Sequence, residues 1–403
     1  MTVAQSMARS AFVRLVGALA VTASAPMLAQ AADKEIRIGQ TMPYSGPASA
    51  YGVVGKVQAA YIDMINEKGG VHGRKIRFIS LDDGYAPPKA AEQVRKLVEQ
   101  DNVHAVFGSV GTPGNMAVHK YLNTKKIPQI FLLSGAAIWN EYDKYPWTIG
   151  WQPDYATEGQ IYARYILKEK PDGRIAILYQ NDDSGRDYLK GFKEALGAAR
   201  VRDMIVAEAS YHVSDPTVDS QVVKLQASGA DVLFTHATPK FGAQAIRKVA
   251  ELGWKPLHII SNTTNSVKGA LTPAGLDRSQ GLVSAFYIKD PGDPLWHNDA
   301  DYKEYATFLT KYAPGVDPGE VLATYGYLTA QGLIRVLEQC KDDVSRENII
   351  RQARNMNFVP GMILPGIRVE TSPTIGVPIR SMQLGRFEGS NWKIFGDVIT
   401  AAQ

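Results

Sequence analysis

Cysteine is almost absent from this sequence, since Cys340 is the only one in 403 residues. A single thiol cannot form an internal disulfide, so burial of a core must stabilise the fold. An excess of one charge is also missing, because 44 basic residues stand against 40 acidic ones. This balance provides no basic surface for a nucleic acid, and we expect no nucleic-acid partner.

The common catalytic and metal-binding motifs are absent as well. The chain has no G-x-x-x-x-G-K-[ST] loop, no G-x-S-x-G elbow and no H-E-x-x-H motif. Gly108–Gly114 departs from the dinucleotide-binding pattern G-x-G-x-x-G, and the seven histidines show no metal-ligand spacing. We therefore expect no catalytic residue, no metal and no cofactor, and we predict that the protein is not an enzyme.

Two pairs of adjacent carboxylates keep an acid–base alternative open. Asp82–Asp83 and Asp182–Asp183 each follow a predicted strand. Neighbouring side chains on an extended chain point to opposite sides, which is a poor arrangement for joint acid–base work. The sequence favours loop capping or contacts between lobes for these four residues.

The N-terminus has the pattern of an export signal. Arg9 and Arg14 precede or border an apolar run from Leu15 to Ala25, and Ala29-Gln30-Ala31 is a small-x-small cleavage pattern. The run is shorter than the about 20 residues of a spanning helix. We expect cleavage near Ala31, which leaves a periplasmic protein of 372 residues with a formal charge of +2.

The mature chain alternates strand and helix patterns twice. Short β runs and helical spacings alternate from Glu35 to Leu133, and the alternation restarts after Trp151 and continues to Ile260. The pattern predicts an α/β fold with two doubly wound parallel-sheet lobes joined by a multi-strand hinge. A mature chain of this length also exceeds the usual single core. The predicted division gives lobe I residues 32–151 plus 283–375, and lobe II residues 152–282 plus 376–403.

Four loops at predicted strand ends are rich in glycine and hydroxyl residues: 43–52, 108–114, 134–137 and 261–265. In open α/β sheets, ligands bind where the carboxyl ends of strands meet helix N-termini. Hydroxyls and free N–H groups at such a position hold a carboxylate without a full positive charge. Ordinary turn and capping chemistry uses the same residues and stays an alternative for each loop.

Several segments together match the pattern of a known family. They are 36–47, Tyr51-Gly52, 65–75 with its Gly-Gly-Val-His-Gly-Arg run, Asp82-Asp83, 179–185 and 323–327. In these the chain resembles the leucine/isoleucine/valine-binding protein family, which comprises periplasmic receptors of ABC importers with a type I binding-protein fold. The resemblance implies a ligand captured by hinge closure between two lobes and presented to a membrane permease.

The resemblance also transfers candidate ligand-binding positions. On the first lobe it implies contacts from Tyr51, Thr112, Ser134, Gly135 and Ala136. On the second lobe it implies contacts from Ser184, Ala237, Thr238 and Asn262. Aromatic residues expected to line the site are Trp139, Trp151, Tyr155 and Tyr287, of which Trp151 and Tyr287 are included among the predicted ligand-binding residues.

One position departs from the family pattern. Members that bind amino acids usually place an acidic residue where this chain has Asn262. A buried ammonium without a counter-charge costs several kcal/mol, so we expect a small carboxylate with an aromatic or aliphatic body rather than a free amino acid. Asp154 or Asp182 would supply the charge if the alignment is shifted.

Two other functions stay open on the sequence alone. A sensing receptor of the same fold would signal to a membrane partner, and a true branched-chain amino acid receptor would bind leucine, isoleucine or valine. For either function, as for transport, we expect a monomer.

Overall fold

The computed structural model describes residues 35–400, and the predicted export signal lies outside the described residues. The strands are β1 (Glu35–Met42), β2 (Lys75–Asp82), β3 (Ala105–Phe107), β4 (Gln129–Leu132), β5 (Thr148–Gly150), β6 (Ile175–Gln180), β7 (Ile205–Tyr211), β8 (Val232–His236), β9 (Leu257–Ile260), β10 (Val283–Phe286), β11 (Asn357–Phe358), β12 (Val369–Glu370), β13 (Ser381–Glu388) and β14 (Asn391–Thr400).

The α-helices are α1 (Gly52–Glu67), α2 (Pro87–Glu99), α3 (Thr112–Thr124), α4 (Tyr155–Glu169), α5 (Asp183–Leu196), α6 (Ala198–Met204), α7 (Asp219–Ala227), α8 (Pro239–Glu251), α9 (Thr272–Ala274), α10 (Ala300–Tyr312), α11 (Val321–Cys340) and α12 (Arg346–Ala353). No helix between residues 35 and 400 combines the length and the apolar character that crossing a bilayer requires.

The first sheet has five strands in the order β2-β1-β3-β4-β5, and every pairing is parallel. Ile36 and Ile38 of β1 are fully buried, in keeping with the polar–apolar alternation of that segment. Helices follow the strands as crossover connections. All strand ends that precede a helix therefore lie along one edge of this sheet.

The second sheet has seven strands in the order β14-β13-β10-β9-β8-β6-β7. Strands β6 to β10 pair in parallel, whereas β13 and β14 form an antiparallel hairpin on β10. The turn of this hairpin joins Glu388, the last residue of β13, to Asn391, the first residue of β14. Two sheets of this kind confirm the predicted fold class.

The chain passes between the sheets three times within the described residues: after β5, after β10 and before β13. The proposed lobe boundary at residue 283 differs from the strand pairing, because β10 (Val283–Phe286) lies inside the second sheet. The second passage therefore begins after Phe286.

Helix α11 covers the first sheet and approaches it closely. Its Gly326 leaves no room for a Cβ, which would lie 2.6 Å from the Val54 carbonyl of α1. Gly332 likewise faces the Trp151 ring, and that ring packs edge-on against Phe131 with centroids 5.0 Å apart. Trp151 is thus a core residue at the first passage between the sheets.

Candidate ligand-binding site

A cavity lies where the carboxyl ends of both sheets face each other. Strands β1 to β5 and strands β6, β8 and β9 each deliver residues to it, and α11 closes one side. The lining residues are Tyr51, Val54, Tyr85, Val110, Gly111, Thr112, Leu133, Gln152, Tyr155, Gln180, Ser184, His236, Thr238, Asn262, Thr263, Leu322 and Tyr325.

The cavity volume is about 50 Å³. An apolar cavity that accommodates benzene measures about 150 Å³. The lobes must therefore separate, or side chains must move, before a ligand the size of an aromatic acid enters. The structure represents a closed arrangement in which the two sheets leave only a small cavity between them.

Two helices begin at the cavity without a side-chain cap. Helix α3 follows Gly111, which has no side chain, and α8 follows Thr238, whose side chain does not bond the first turn. By contrast, Asp182 caps α5 by accepting the Gly185 N–H at 3.2 Å. The uncapped N–H groups and the helix dipole place partial positive charge at the cavity wall, which suits an anion.

The wall on the first sheet carries a linked pair of hydroxyls. The oxygens of Thr112 and Ser134 are 2.7 Å apart, and Trp139 Nε1 donates to Ser134 at 2.9 Å. Ser134 therefore lies behind Thr112 and fixes the orientation of its hydroxyl. Only Thr112 of the two lines the cavity.

The wall on the second sheet contains a neutral histidine. His236 Nε2 lies 2.8 Å from Ser184 Oγ, and its Nδ1 lies 3.1 Å from Ser261 Oγ. Burial lowers the pKa of His236 to about 3, so the ring is uncharged at physiological pH. Both ring nitrogens of this histidine are paired with protein hydroxyls, so His236 orders the wall and adds no positive charge.

A buried carboxylate supports Asn262 from behind. Glu158 of α4 is fully buried and accepts the hydroxyls of Tyr162 at 2.6 Å and Tyr188 at 2.7 Å. It also accepts the backbone N–H of Asn262 at 2.8 Å. Burial raises the pKa of Glu158 to about 7, and its three donors lie on the protein side.

One hydrogen bond joins the two walls directly. Tyr51, which follows β1, donates its hydroxyl to the carbonyl of Thr263, which follows β9, at 2.9 Å. The neighbouring Tyr85 has φ of +61°, a left-handed conformation that is costly for a tyrosine, and its N–H donates to Asp83 at 2.8 Å. Its ring lies against Gly111, where a Cβ would clash.

No charged side chain is among the described residues that line the cavity. Asp154 and Asp182, which the sequence left as alternatives for an ammonium partner, lie outside the lining. Asp154 caps α4 through the Thr157 N–H at 2.8 Å, and Asp182 caps α5. Residues 35–400 also bring together no cluster of His, Cys, Asp and Glu that could hold a metal.

The sequence profile of periplasmic binding proteins matches residues 35–391. The chain belongs to the periplasmic binding protein family. Among its relatives, Leu/Ile/Val-binding protein homolog 3 of Brucella melitensis is 24% identical over 280 residues, which cover 63% of this chain and 73% of that protein. The resemblance stated from the sequence is thereby confirmed.

Solved structures show the same fold. A branched-chain amino acid ABC transporter protein from Thermus thermophilus with bound valine has a TM-score of 0.81 at 16% identity, covering 91% of this chain and 97% of that chain. An ABC transporter solute-binding protein from R. palustris in complex with benzoate has a TM-score of 0.77 at 19% identity, covering 91% and 98%.

Five predicted site residues of this periplasmic binding protein line the cavity: Tyr51, Thr112, Ser184, Thr238 and Asn262. Tyr155, expected as an aromatic lining residue, lies there too. Contact of each with a ligand stays a prediction. Their common position confirms that the hydroxyl-rich loops gather at one edge of each sheet.

Six predicted site residues lie outside the lining, and each has a packing reason. The Gly135 carbonyl accepts the Tyr155 N–H at 2.8 Å, and a Cβ at position 135 would clash with the Tyr155 ring. Ser134 lies behind Thr112, Ala136 packs with Trp139, and Trp151 lies in the core. The Ala237 N–H donates to Thr264, and the Tyr287 ring packs edge-on against Tyr325. Trp139, named only as a possible aromatic lining residue, is also outside.

The polar residues that sequence reasoning missed are Tyr85, Gln152, Gln180, His236, Thr263 and Tyr325. Gln180 and His236 end strands, which is a positional signal that a search for hydroxyl-rich loops does not use. Thr263 lies inside the hydroxyl-rich loop 261–265 but was not singled out within it. Tyr325 lies in the segment 323–327 that carried the family resemblance. Glu158 was missed because it acts through Asn262 and not at the cavity surface.

Proposed function

We propose that this protein is the substrate-binding component of an ABC importer that captures a small carboxylate by closure of its two lobes. The observation that carries the proposal is the cavity, which combines two uncapped helix N-termini with a lining free of charged side chains among the described residues. Partial positive charge on both walls favours an anion. Thr112 and the first turn of α3 are the proposed carboxylate contacts.

The same cavity disfavours a free amino acid. An ammonium group would lie against the N-terminus of α8 or beside the amide of Asn262, with no carboxylate in the lining to pair with it. Burying an unpaired charge costs several kcal/mol. An aromatic or aliphatic acid places only apolar atoms against Tyr51, Tyr85, Leu133 and Tyr325, which are suited to them.

Matched ligands test this preference. The acid 4-methylpentanoate has the skeleton of leucine without its ammonium, and 3-methylbutanoate stands in the same relation to valine. We expect thermal-shift and calorimetric measurements to show binding of these acids, benzoate or hexanoate in preference to the amino acids. Stabilisation by leucine or valine and by no simple acid would overturn the proposal in favour of an amino acid receptor.

Uptake measurements separate transport from sensing. Cells that lack the gene should lose import of the labelled acid that binds best, and the gene supplied on a plasmid should restore it. Unchanged uptake together with a lost response to the acid would support a receptor that signals to a membrane partner.

Export is part of the proposal. We infer that residues 1–31 direct the chain to the periplasm and are removed there, since the charged start, apolar run and Ala29-Gln30-Ala31 form a signal pattern. N-terminal sequencing of protein from a periplasmic fraction should begin at Ala32. Recovery of the intact chain from the cytoplasm would contradict it.

A further inference from the structure

Three polar groups at the cavity have unmet hydrogen-bonding capacity. Asn262 Nδ2, Thr238 Oγ1 and Gln152 Nε2 are buried and have no hydrogen-bond partner within residues 35–400. Asn262 and Thr238 are 4% exposed and Gln152 is 7% exposed. Folded proteins pair nearly all such groups, because an unpaired buried donor loses its water without compensation.

Asn262 and Thr238 lie on the same wall. Their loops follow the adjacent strands β8 and β9, and Thr264 Oγ1 links them by accepting the Ala237 N–H at 3.2 Å. The other polar side chains of this wall are already paired with one another. Ser184 pairs with His236, and His236 pairs with Ser261. The unmet capacity on this wall is therefore concentrated at Asn262 and Thr238.

The chemistry of these groups restricts their partner. An amide N–H needs an acceptor, which neither an ammonium nor a methyl group provides. Thr238 also precedes the uncapped N-terminus of α8, where partial positive charge attracts an oxygen. A full carboxylate is already assigned to the opposite wall at Thr112, so a second, uncharged oxygen completes the second wall.

We infer that the ligand is a carboxylic acid that carries a hydroxyl or keto oxygen at the end remote from its carboxylate. The inference rests on the proposed function and adds the second recognition group. The hydroxyl form accepts from Asn262 Nδ2 and offers a donor to Thr238 Oγ1. Thr238 and Asn262 are then the residues that discriminate a substituted acid from its plain counterpart.

Calorimetry with matched acids tests the inference. The pairs are hexanoate with 6-hydroxyhexanoate, pentanoate with 4-oxopentanoate, and benzoate with 4-hydroxybenzoate. We expect the oxygenated member of at least one pair to bind about 10-fold or more tightly, since a site built for a polar group rejects the analogue that lacks it. T238V is isosteric and should remove most of that preference, because it should weaken the oxygenated member of a pair more than the plain member.

N262L is the second variant, and T307V on the exposed face of α10 is the matched control. Thermal unfolding verifies that each variant is folded. Equal affinity for both members of every pair, or an equal loss for both members in T238V and N262L, overturns this inference and leaves the proposed function intact. Failure of every acid, plain or oxygenated, overturns the proposed function and the inference together.

Discussion

The carboxylate of Glu158 accepts the backbone N–H of Asn262 at 2.8 Å across 104 positions of sequence. Glu158 belongs to α4, the helix that follows the first passage between the sheets, whereas Asn262 lies in the loop that follows β9 of the second sheet. The bond therefore fixes a cavity residue to the helix nearest the passage. A carboxylate that would otherwise suit an ammonium is used here as a structural acceptor behind the wall.

Replacing Asn262 by aspartate should change the class of ligand. An aspartate supplies the counter-charge that the lining lacks, so N262D should gain affinity for leucine or valine and lose about 10-fold or more for the simple acid that the parent binds, by charge repulsion. Calorimetry with leucine and 4-methylpentanoate measures both effects. N181D, which adds the same charge at an exposed position outside the lining, is the control.

An unchanged ligand order in N262D would show that residue 262 does not face the ligand. The counter-charge for a ligand ammonium would then have to come from another residue.

Removing the Thr112 hydroxyl should weaken the carboxylate contact. T112V keeps the side-chain shape but removes one donor at the start of α3, and Ser134 keeps its bond from Trp139. A hydrogen bond to a charged group contributes about 1.5–3 kcal/mol, which predicts a 10- to 100-fold rise in Kd. Calorimetry with the best acid checks this, and T307V should leave Kd unchanged. Equal affinities of T112V and the parent would place the carboxylate elsewhere.

The bond between Tyr51 and Thr263 should stabilise the closed form. Y51F removes the hydroxyl that spans the cleft, and a net hydrogen bond of about 0.5–1.5 kcal/mol predicts a 3- to 10-fold weaker ligand affinity. Small-angle scattering of the free protein should show a larger radius in Y51F. The control is Y44F, because the Tyr44 hydroxyl bonds Ser80 at 2.7 Å within the first lobe and does not span the cleft. The same radius and Kd in both variants would contradict this role.

Stability should decrease as pH rises through neutrality. Burial raises the pKa of Glu158 from 4.5 and of Asp290 from 3.8, each to about 7. Between those values the folded protein holds more protons than the unfolded chain, so these contributions are full below about pH 4 and are lost as pH rises through 7. For Glu158 the loss is about 3 kcal/mol.

Urea unfolding at pH 5 and pH 8 measures this dependence. The loss of unfolding free energy between the two pH values should be smaller in E158Q and in D290N than in the parent. D172N, at an exposed position, should follow the parent. Parallel pH curves for E158Q and the parent would show that Glu158 does not titrate in this range.

Much of the fold follows from local patterns that need no tertiary information. Alternating strand and helix signals determined the α/β class, and the loops after β1, β3, β4 and β9 were found because small and hydroxyl residues cluster there. In a parallel sheet with crossover helices, the loops that follow the strands all lie along one edge of the sheet. The assignment of Tyr51, Thr112 and Asn262 to one site came from the family resemblance and not from these patterns alone.

The tertiary structure decided which side chain of each loop faces the cavity. Ser134 and Thr112 are both hydroxyl residues in candidate loops, and only the way α3 begins at Gly111 puts Thr112 in front. Trp151 is of a residue type that commonly stacks on ligands. The close approach of α11 at Gly332 instead buries its ring in the core. Such choices depend on packing between segments that are distant in sequence.

The sequence by itself determined the absence of disulfides, the near balance of charge, the alternation that yields two sheets and the asparagine at position 262. Only the tertiary structure decided that β10 joins the second sheet, that Glu158 is satisfied behind Asn262, and that the cavity lining is uncharged among the described residues. The physical reason is that patterns of side chains are local, whereas burial and hydrogen-bond pairing depend on partners brought together by the fold.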